Sequence, residues 1–430
     1  MKTLFSTLLL FLCALSAKAQ NFTVVASNLR QPLGLEIAPD GQLWLTEVGL
    51  GANDGAVSVV KPNGTLAPVI IDLASLFDTM VMEGIGPWRS ITLPGKQLGV
   101  VTPLTGGISL FDLTDFVPGV TPPIKAASST AQVPIADFVF QNQPPSMPDS
   151  DPYSVAFDAA GNWYVADAGF NGIIRVNAIS GQRSVFAQFP PFTNPLPVGP
   201  PVVDQVPTRI IAKPGGGFYV CTLTGFPFLE GAASVFLVSA TGTVTPYATG
   251  LTLLTDLYLD AKTGDLYALQ LGKFVLDPVM PGFAPNSAKV IKIKPDGTQQ
   301  TVAEGFGPSP GMAIDAQGTL YVTEIYAGRL LKKTGLVAAG EPAGILADLV
   351  VSPNPAHSEV HLSFELKETA AARLVVLDVL GKEVFAKDLG SLPAGRQAMQ
   401  WSADHLPDGV YVVDLQTEEG HLQKKVVIQQ

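Results

Sequence analysis

The chain has 430 residues, enough for two or three domains, and is 47% hydrophobic with 42 Gly, 36 Pro and only 15% charged residues. That composition is globular, turn-rich and β-type rather than disordered. The net charge of −11 excludes the basic footprint of a nucleic-acid-binding surface and suits a soluble extracellular one.

Residues 1–19 read as a secretory signal peptide. Lys2 supplies the positive end, Leu4–Leu15 the apolar core and Ala17-Lys18-Ala19 the cleavage site, so the mature chain is expected to start at Gln20. No small residues precede Cys13 in the manner of a lipoprotein. No stretch is long enough for a transmembrane anchor. With Cys13 removed only Cys221 remains, so no disulfide is expected within the mature chain although the compartment permits one.

Residues 20–335 carry a repeat whose unit is strand, tight turn, strand. Its clearest copy is DPYSVAFDAAGNWYVADAGFNGIIRV, Asp151–Val176, turning at Gly161. Others turn at Gly41, Gly216, Gly264 and Gly318, and a distorted copy, GPWRSITLPGKQLGVVT, turns at Gly95. Short-strand repeats at this spacing mark a β-propeller with one blade per repeat, here six-bladed. Phe22–Asn28 is a lone strand before the first repeat, and the last repeat lacks a closing strand. The first is therefore expected to complete the sixth blade and leave no open edge.

Long insertions interrupt the repeats at Leu104–Ser150, with a short helix expected over Pro134–Gln141, at Phe189–Val206 and at Leu276–Ser287. Loops of this length are either functional or rim packing. Within the second strands, Leu43, Trp163, Phe218, Leu266 and Leu320 share one face, and Trp44, Tyr164, Tyr219, Tyr267 and Tyr321 the other. Both faces are apolar because each blade packs between two others. Cys221 falls among these residues and reads as a small buried side chain.

After a linker over 336–349 the composition shifts. The strands EVHLSFEL, ARLVVLDVLG, KEVFAKDL, AMQWSA, GVYVVDLQ and KKVVIQ over 350–430 predict a small Ig-like β-sandwich. The chain as a whole is thus all-β: a six-bladed propeller followed by this sandwich.

Two resemblances follow from quoted residues. Pro353-Asn354-Pro355, the LDVLGKEV hairpin with Asp378 and Gly381, LPDGVYVV with Gly409 and Tyr411, and the terminal KKVVIQ resemble the type A sorting domain of the type IX (Por) secretion system of Bacteroidetes. This implies handling by that machinery, removal of the domain and a secreted or outer-surface location. The propeller, through DPYSVAF, WYVADAGFNGIIRV, VPTRIIAKPGGGFYVCTLTGFPF and EGAASVFLV, resembles the scytonemin-biosynthesis-type (ScyD/ScyE) family, relatives of NHL-repeat propellers. That resemblance implies a fold and secretion, and brings no reaction.

All four histidines, His357, His361, His405 and His421, lie in the C-terminal domain, so the propeller lacks a histidine base or metal ligand. Two rings of polar residues remain. Glu47, Thr102, Asp167, Thr222, Gln270 and Glu324 follow the apolar pairs of the second strands. Glu47, Asp167 and Glu324 are candidates to hold Ca²⁺ or to supply a base raised by its neighbours; alternatively each caps its own turn. The second ring, Arg89, Ser154, Arg209 and Asp256, opens the first strands. With Gln270 these are candidate channel ligands, the arginines clamping an anion or pairing structurally with Asp167 or Glu324. Trp88, Tyr153, Phe226 and Phe228 are candidates for an apolar lip. The expected function is an extracellular module binding a small molecule, glycan or protein. The alternative is a histidine-independent, metal-assisted hydrolase or lyase using channel carboxylates.

Overall fold

The computed structural model describes residues 22–78, 83–143, 149–277, 281–336, 346–378, 383–417 and 420–429. The expected signal peptide, most of the expected linker and Gly381 lie outside them. The chain divides into two compact units, Met1–Leu336 and Val337–Gln430.

Among its described residues the first unit holds six blade sheets, each with an antiparallel core, besides three two-stranded hairpins. From the inside outwards, blade 1 is Pro32–Ile37, Leu43–Glu47, Gly55–Val60 and Leu66–Leu73, and blade 2 is Arg89–Leu93, Gln97–Thr102, Gly107–Asp112 and Ala131–Pro134. Blade 3 is Pro152–Phe157, Trp163–Asp167, Gly172–Val176 and Arg183–Gln188; blade 4 is Gln205–Ala212, Phe218–Thr224, Ala233–Val238 and Val244–Leu251. Blade 5 is Leu254–Leu259, Leu266–Gln270, Ala288–Ile293 and Gln299–Phe306. Blade 6 is Met312–Ile314, Leu320–Glu324 and Arg329–Lys333, and the N-terminal strand Thr23–Ala26 pairs antiparallel with its third strand. Each innermost strand lies against those of both neighbouring blades, and the sixth returns to the first. This is a six-bladed β-propeller clasped by its own N-terminus.

The repeat's turn explains itself. The pivot glycines 41, 95, 161, 216, 264 and 318 all have φ between +73° and +101°, a region costly for residues with a Cβ. An aspartate sets several of these turns: Asp158 Oδ1 accepts from Ala160 N and Asn162 N, and Asp315 Oδ1 from Gln317 N and Thr319 N. Apolar faces then meet between blades. Trp44, Val57, Val69, Leu98, Val100 and Phe111 fill the space between blades 1 and 2, and Tyr219, Cys221, Val235, Leu257, Leu266 and Ile291 that between blades 4 and 5. Each large aliphatic side chain so buried contributes about 1.5–3 kcal/mol.

The Leu104–Ser150 insertion runs along the outer rim. Ile124–Lys125 adds in parallel to the outer strand of blade 1, Ala131–Pro134 is the outer strand of blade 2, and the helix follows at Ala136–Gln141. The other insertions form small hairpins, Phe192–Thr193 with Val202–Val203 and Phe274–Val275 with Gly282–Phe283. A further hairpin, Leu76–Asp78 with Glu83–Ile85, joins blades 1 and 2. All three leave from the end of a second or fourth strand, so antiparallel alternation puts them on one face of the ring. The pivot turns lie on the opposite face.

The second unit stacks a three-stranded sheet, Leu346–Ser352, Glu359–Leu366 and Gly395–Ser402, on a four-stranded one, Glu383–Leu392, Ala370–Leu377, Gly409–Thr417 and Gly420–Ile428. The first of these strands begins inside the stretch expected to be linker. Val360, Leu362, Phe364, Leu374, Val376, Trp401, Val413 and Leu415 form the shared core. Asn354 Oδ1 accepts from Val427 N at 2.9 Å and Tyr411 donates to the Pro407 carbonyl at 2.9 Å. Two of the quoted motifs therefore fasten strand ends.

Candidate functional site

Six equivalent positions open the innermost strands. Arg89 pairs with Val101, Ser154 with Ala166 and Asp256 with Leu269. Gly34 and Arg209 sit in the matching irregularities of blades 1 and 4, and Gly311 precedes Met312. Gly34 and Gly311 are glycine because neighbouring backbone crowds them. A Cβ would lie 2.6 Å from the Trp88 carbonyl oxygen at Gly34 and 1.9 Å from that of Leu33 at Gly311.

Three of the four polar members, Arg89, Arg209 and Asp256, meet on the axis. Arg89 of blade 2 reaches Asp256 of blade 5, three blades round the ring, with Nη2 at 2.8 Å from Oδ2. Its Nη1 donates to the Leu35 carbonyl at 3.0 Å. Asp256 Oδ2 also accepts from Met312 N at 2.9 Å, and Oδ1 from Leu257 N at 2.9 Å. Arg89 is 2% and Asp256 1% exposed. Burial works against the Arg89 charge, but Asp256 beside it outweighs that and holds the guanidinium above its ordinary value.

Arg209 comes fourth to the same carboxylate. Its Nε lies 3.3 Å from Asp256 Oδ1 without hydrogen-bond geometry, and its side chain is 19% exposed. Burial, then repulsion by Arg89, pushes its pKa down to about 10. Glu36, two positions beyond Gly34 on blade 1, faces this charge pair. Thr92 of blade 2 donates to it from N at 3.1 Å and from Oγ1 at 3.0 Å. Burial raises the Glu36 carboxyl above its ordinary value, against those hydrogen bonds and the attraction of Arg209 and Arg89.

Ser154 is buried and engaged, donating to the Thr208 carbonyl at 2.5 Å and accepting from Ile210 N at 3.0 Å. It ties blade 3 to blade 4 rather than facing the channel as a ligand group. The alternative in which the arginines pair with Asp167 or Glu324 is not what forms: the acid beside both is Asp256.

The other ring does not converge. Glu47 Oε1 accepts from Arg30 N at 2.7 Å, Asp167 Oδ1 from Asp151 N and Phe170 N at 2.9 Å, Gln270 Oε1 from Thr252 N at 2.9 Å and Glu324 Oε1 from Gly307 N at 2.7 Å. Asp167 Oδ2 takes Ser150 Oγ at 2.7 Å, and Glu324 Oε2 takes Arg329 Nε at 2.7 Å. Each acceptor ends a second strand and fixes the segment entering its own blade's first strand, so each points along its blade. Among the described residues no three His, Cys, Asp or Glu side chains gather as a metal site. Burial raises both Glu47 and Asp167 despite their hydrogen bonds.

The aromatic lip also separates in two. Trp88 and Tyr153 are buried, stacked at 5.9 Å between ring centroids, and packed with Leu33, Val48 and Ile325. They plug the axis rather than rim it. Phe226 and Phe228 start a different chain of rings: Phe226 to Phe228 at 5.9 Å, Phe228 to Phe274 at 5.0 Å and Phe274 to Phe283 at 5.4 Å. A Cβ on Gly199 would lie 2.9 Å from the Phe226 ring, so the 189–206 insertion leans on the same chain. Around it Leu196, Val198, Val202, Phe226, Val275 and Leu276 are exposed. Leu50, Leu76, Phe77 and Tyr326 are exposed on other connections of that face.

Sequence reasoning missed Glu36. The signal was a lone acid in the apolar innermost strand PLGLEI, visible once Gly34 is aligned with Arg89. It also missed the Phe274–Phe283 continuation, because neither residue lies in a repeat.

Residues 350–429 match the family model described as a secretion system C-terminal sorting domain. The chain therefore carries a type IX sorting signal and is destined for the cell surface or secretion. No helix among the described residues is long and apolar enough to cross a membrane. No curated protein matches the chain. Among solved structures it is similar to PorZ, a surface component of the type IX secretion system of Porphyromonas gingivalis, at 13% identity and TM-score 0.42, over 92% of this chain and 59% of that one. The chain thus spans less than two thirds of PorZ. It is similar to a gluconolactonase from Xanthomonas campestris at 11% identity and TM-score 0.46, over 72% and 88%. It is also similar to a protein of unknown function from Bacteroides thetaiotaomicron at 11% identity and TM-score 0.46, over 74% and 76%.

Proposed function

We propose that the chain is an exported binding module. After type IX export its propeller takes a small molecule, glycan or protein on the face that carries the inserted hairpins. The observation that carries this reading is the continuous phenylalanine chain of blades 4 and 5, with Leu196, Val198, Val202, Phe226, Val275 and Leu276 exposed around it. Clustered exposed apolar side chains on an otherwise polar surface mark interaction sites, and three separate connections contribute to this cluster. The channel groups Glu47, Asp167, Ser154, Asp256, Gln270 and Glu324 each have a structural partner, which supports binding over chemistry.

The test is a screen of the mature chain against glycan and protein arrays, repeated with Phe226→Ser/Val275→Ser. A ligand bound by the wild type and lost by the variant, at unchanged melting temperature, supports the reading. Hits that survive the double substitution place recognition elsewhere. Turnover of ester or lactone substrates that depends on Ca²⁺ and disappears in Asp167→Ala replaces the module by the hydrolase.

A further inference from the structure

We propose a second binding site, independent of the hairpin-bearing face: the Glu36 side of the channel binds a small molecule bearing a carboxylate or phosphate group, held by the Arg209 guanidinium. The argument is one of charge and hydrogen-bond inventory. Two arginines share Asp256, and that carboxylate is already occupied. Oδ2 holds Arg89 Nη2 and Met312 N, and Oδ1 holds Leu257 N. Arg209 is left with a 3.3 Å approach of Nε that is not a hydrogen bond. That buried Nε has no hydrogen-bond partner among the described residues.

The other acid within electrostatic reach does not complete it. Glu36 is engaged by Thr92 N and Oγ1, and no ion pair joins it to Arg209 among the described residues. A guanidinium presents five donors in a planar fork that matches a carboxylate or phosphate. This one stands inside the ring, is only 19% exposed, and is therefore partly desolvated yet still reachable. Arg89 behind it adds a second positive charge that is fixed and cannot move to solvent. An incoming anion would supply the acceptors that the fold withholds from Arg209.

The experiment is isothermal titration of the mature full-length chain with two probes, inorganic phosphate and benzoate, with melting temperature followed in parallel. Saturable binding of at least one probe, lost in Arg209→Gln and weakened in Arg209→Lys, is expected. Glu36→Gln removes a negative charge beside the site and should strengthen binding by roughly threefold or more. That variant keeps the proposal open to refutation even if Arg209→Gln does not fold. No saturable binding of either probe to the wild type overturns the site, as does binding that is unchanged in Arg209→Gln or weakened in Glu36→Gln. Phosphate bound without benzoate points to phosphorylated ligands, and both bound points to anionic ligands generally. Because this site lies away from Phe226 and Val275, its failure leaves the array result untouched.

Discussion

Arg89 and Asp256 are 167 positions apart in sequence and 2.8 Å apart in space, joined across the centre of the ring from opposite blades. The bridge touches blades 1, 2, 5 and 6 through Leu35, Arg89, Asp256 and Met312. It holds the ring together from the inside.

Removing one end should therefore be costly. Asp256→Asn leaves two arginines without their counter-charge, and breaking a buried pair from one side typically costs about 3–5 kcal/mol. Chemical denaturation of the mature chain should show that loss. A change under 1 kcal/mol would mean the bridge contributes little.

Glu36 predicts a pH dependence of definite sign. Burial raises its carboxyl above the ordinary 4.5. A raised acid contributes stability that is fully present below its unfolded value and is lost as pH rises through its folded value. Glu36→Gln should flatten the stability profile just above pH 4.5 and leave the protein no less stable at pH 7. Parallel wild-type and variant profiles across that window would contradict this.

Gly311 should not tolerate even one methyl. A Cβ there would sit 1.9 Å from the Leu33 carbonyl, so Gly311→Ala forces blades 6 and 1 apart, at about 1–3 kcal/mol. Gly161→Ala is the control. It is strained by its φ of +79°, but its nearest new contact is 3.8 Å away. Melting curves of the two variants should separate crowding from backbone strain.

Cys221 is fully buried, and burial pushes its thiol up to about 12. A thiol-specific reagent such as DTNB should leave the native mature chain unlabelled at pH 8 and label one site on unfolding. Prompt labelling without denaturant would show that the space between blades 4 and 5 opens to solvent.

The repeat made the architecture legible because its pivots demand glycine and its second strands demand two apolar faces. Even the closing role of Phe22–Asn28 followed from counting strands against blades. The site was legible only in part. Register identified Arg89, Ser154, Arg209 and Asp256 as one layer, but whether such residues meet each other or a ligand depends on side-chain reach across the axis. Arg89 is long enough to cross and meets Asp256 there. Glu47, Asp167 and Glu324 looked convergent because their positions are equivalent. Equivalence by rotation gives them a common height, while the local hydrogen bonds at each strand end turn each acid towards its own blade. The phenylalanine chain was illegible as a unit, since its members come from two loops of unrelated length.

The N-terminal strand has a consequence in time. Thr23–Ala26 is among the first parts of the mature chain to be made, and its partner Arg329–Lys333 among the last of the propeller. The ring cannot be completed until some three hundred intervening residues exist, and closing so long a loop carries a large entropic penalty. A chain that still lacks Arg329–Lys333 cannot latch. Closure is thus the last step available to the ring, whatever order its blades form in.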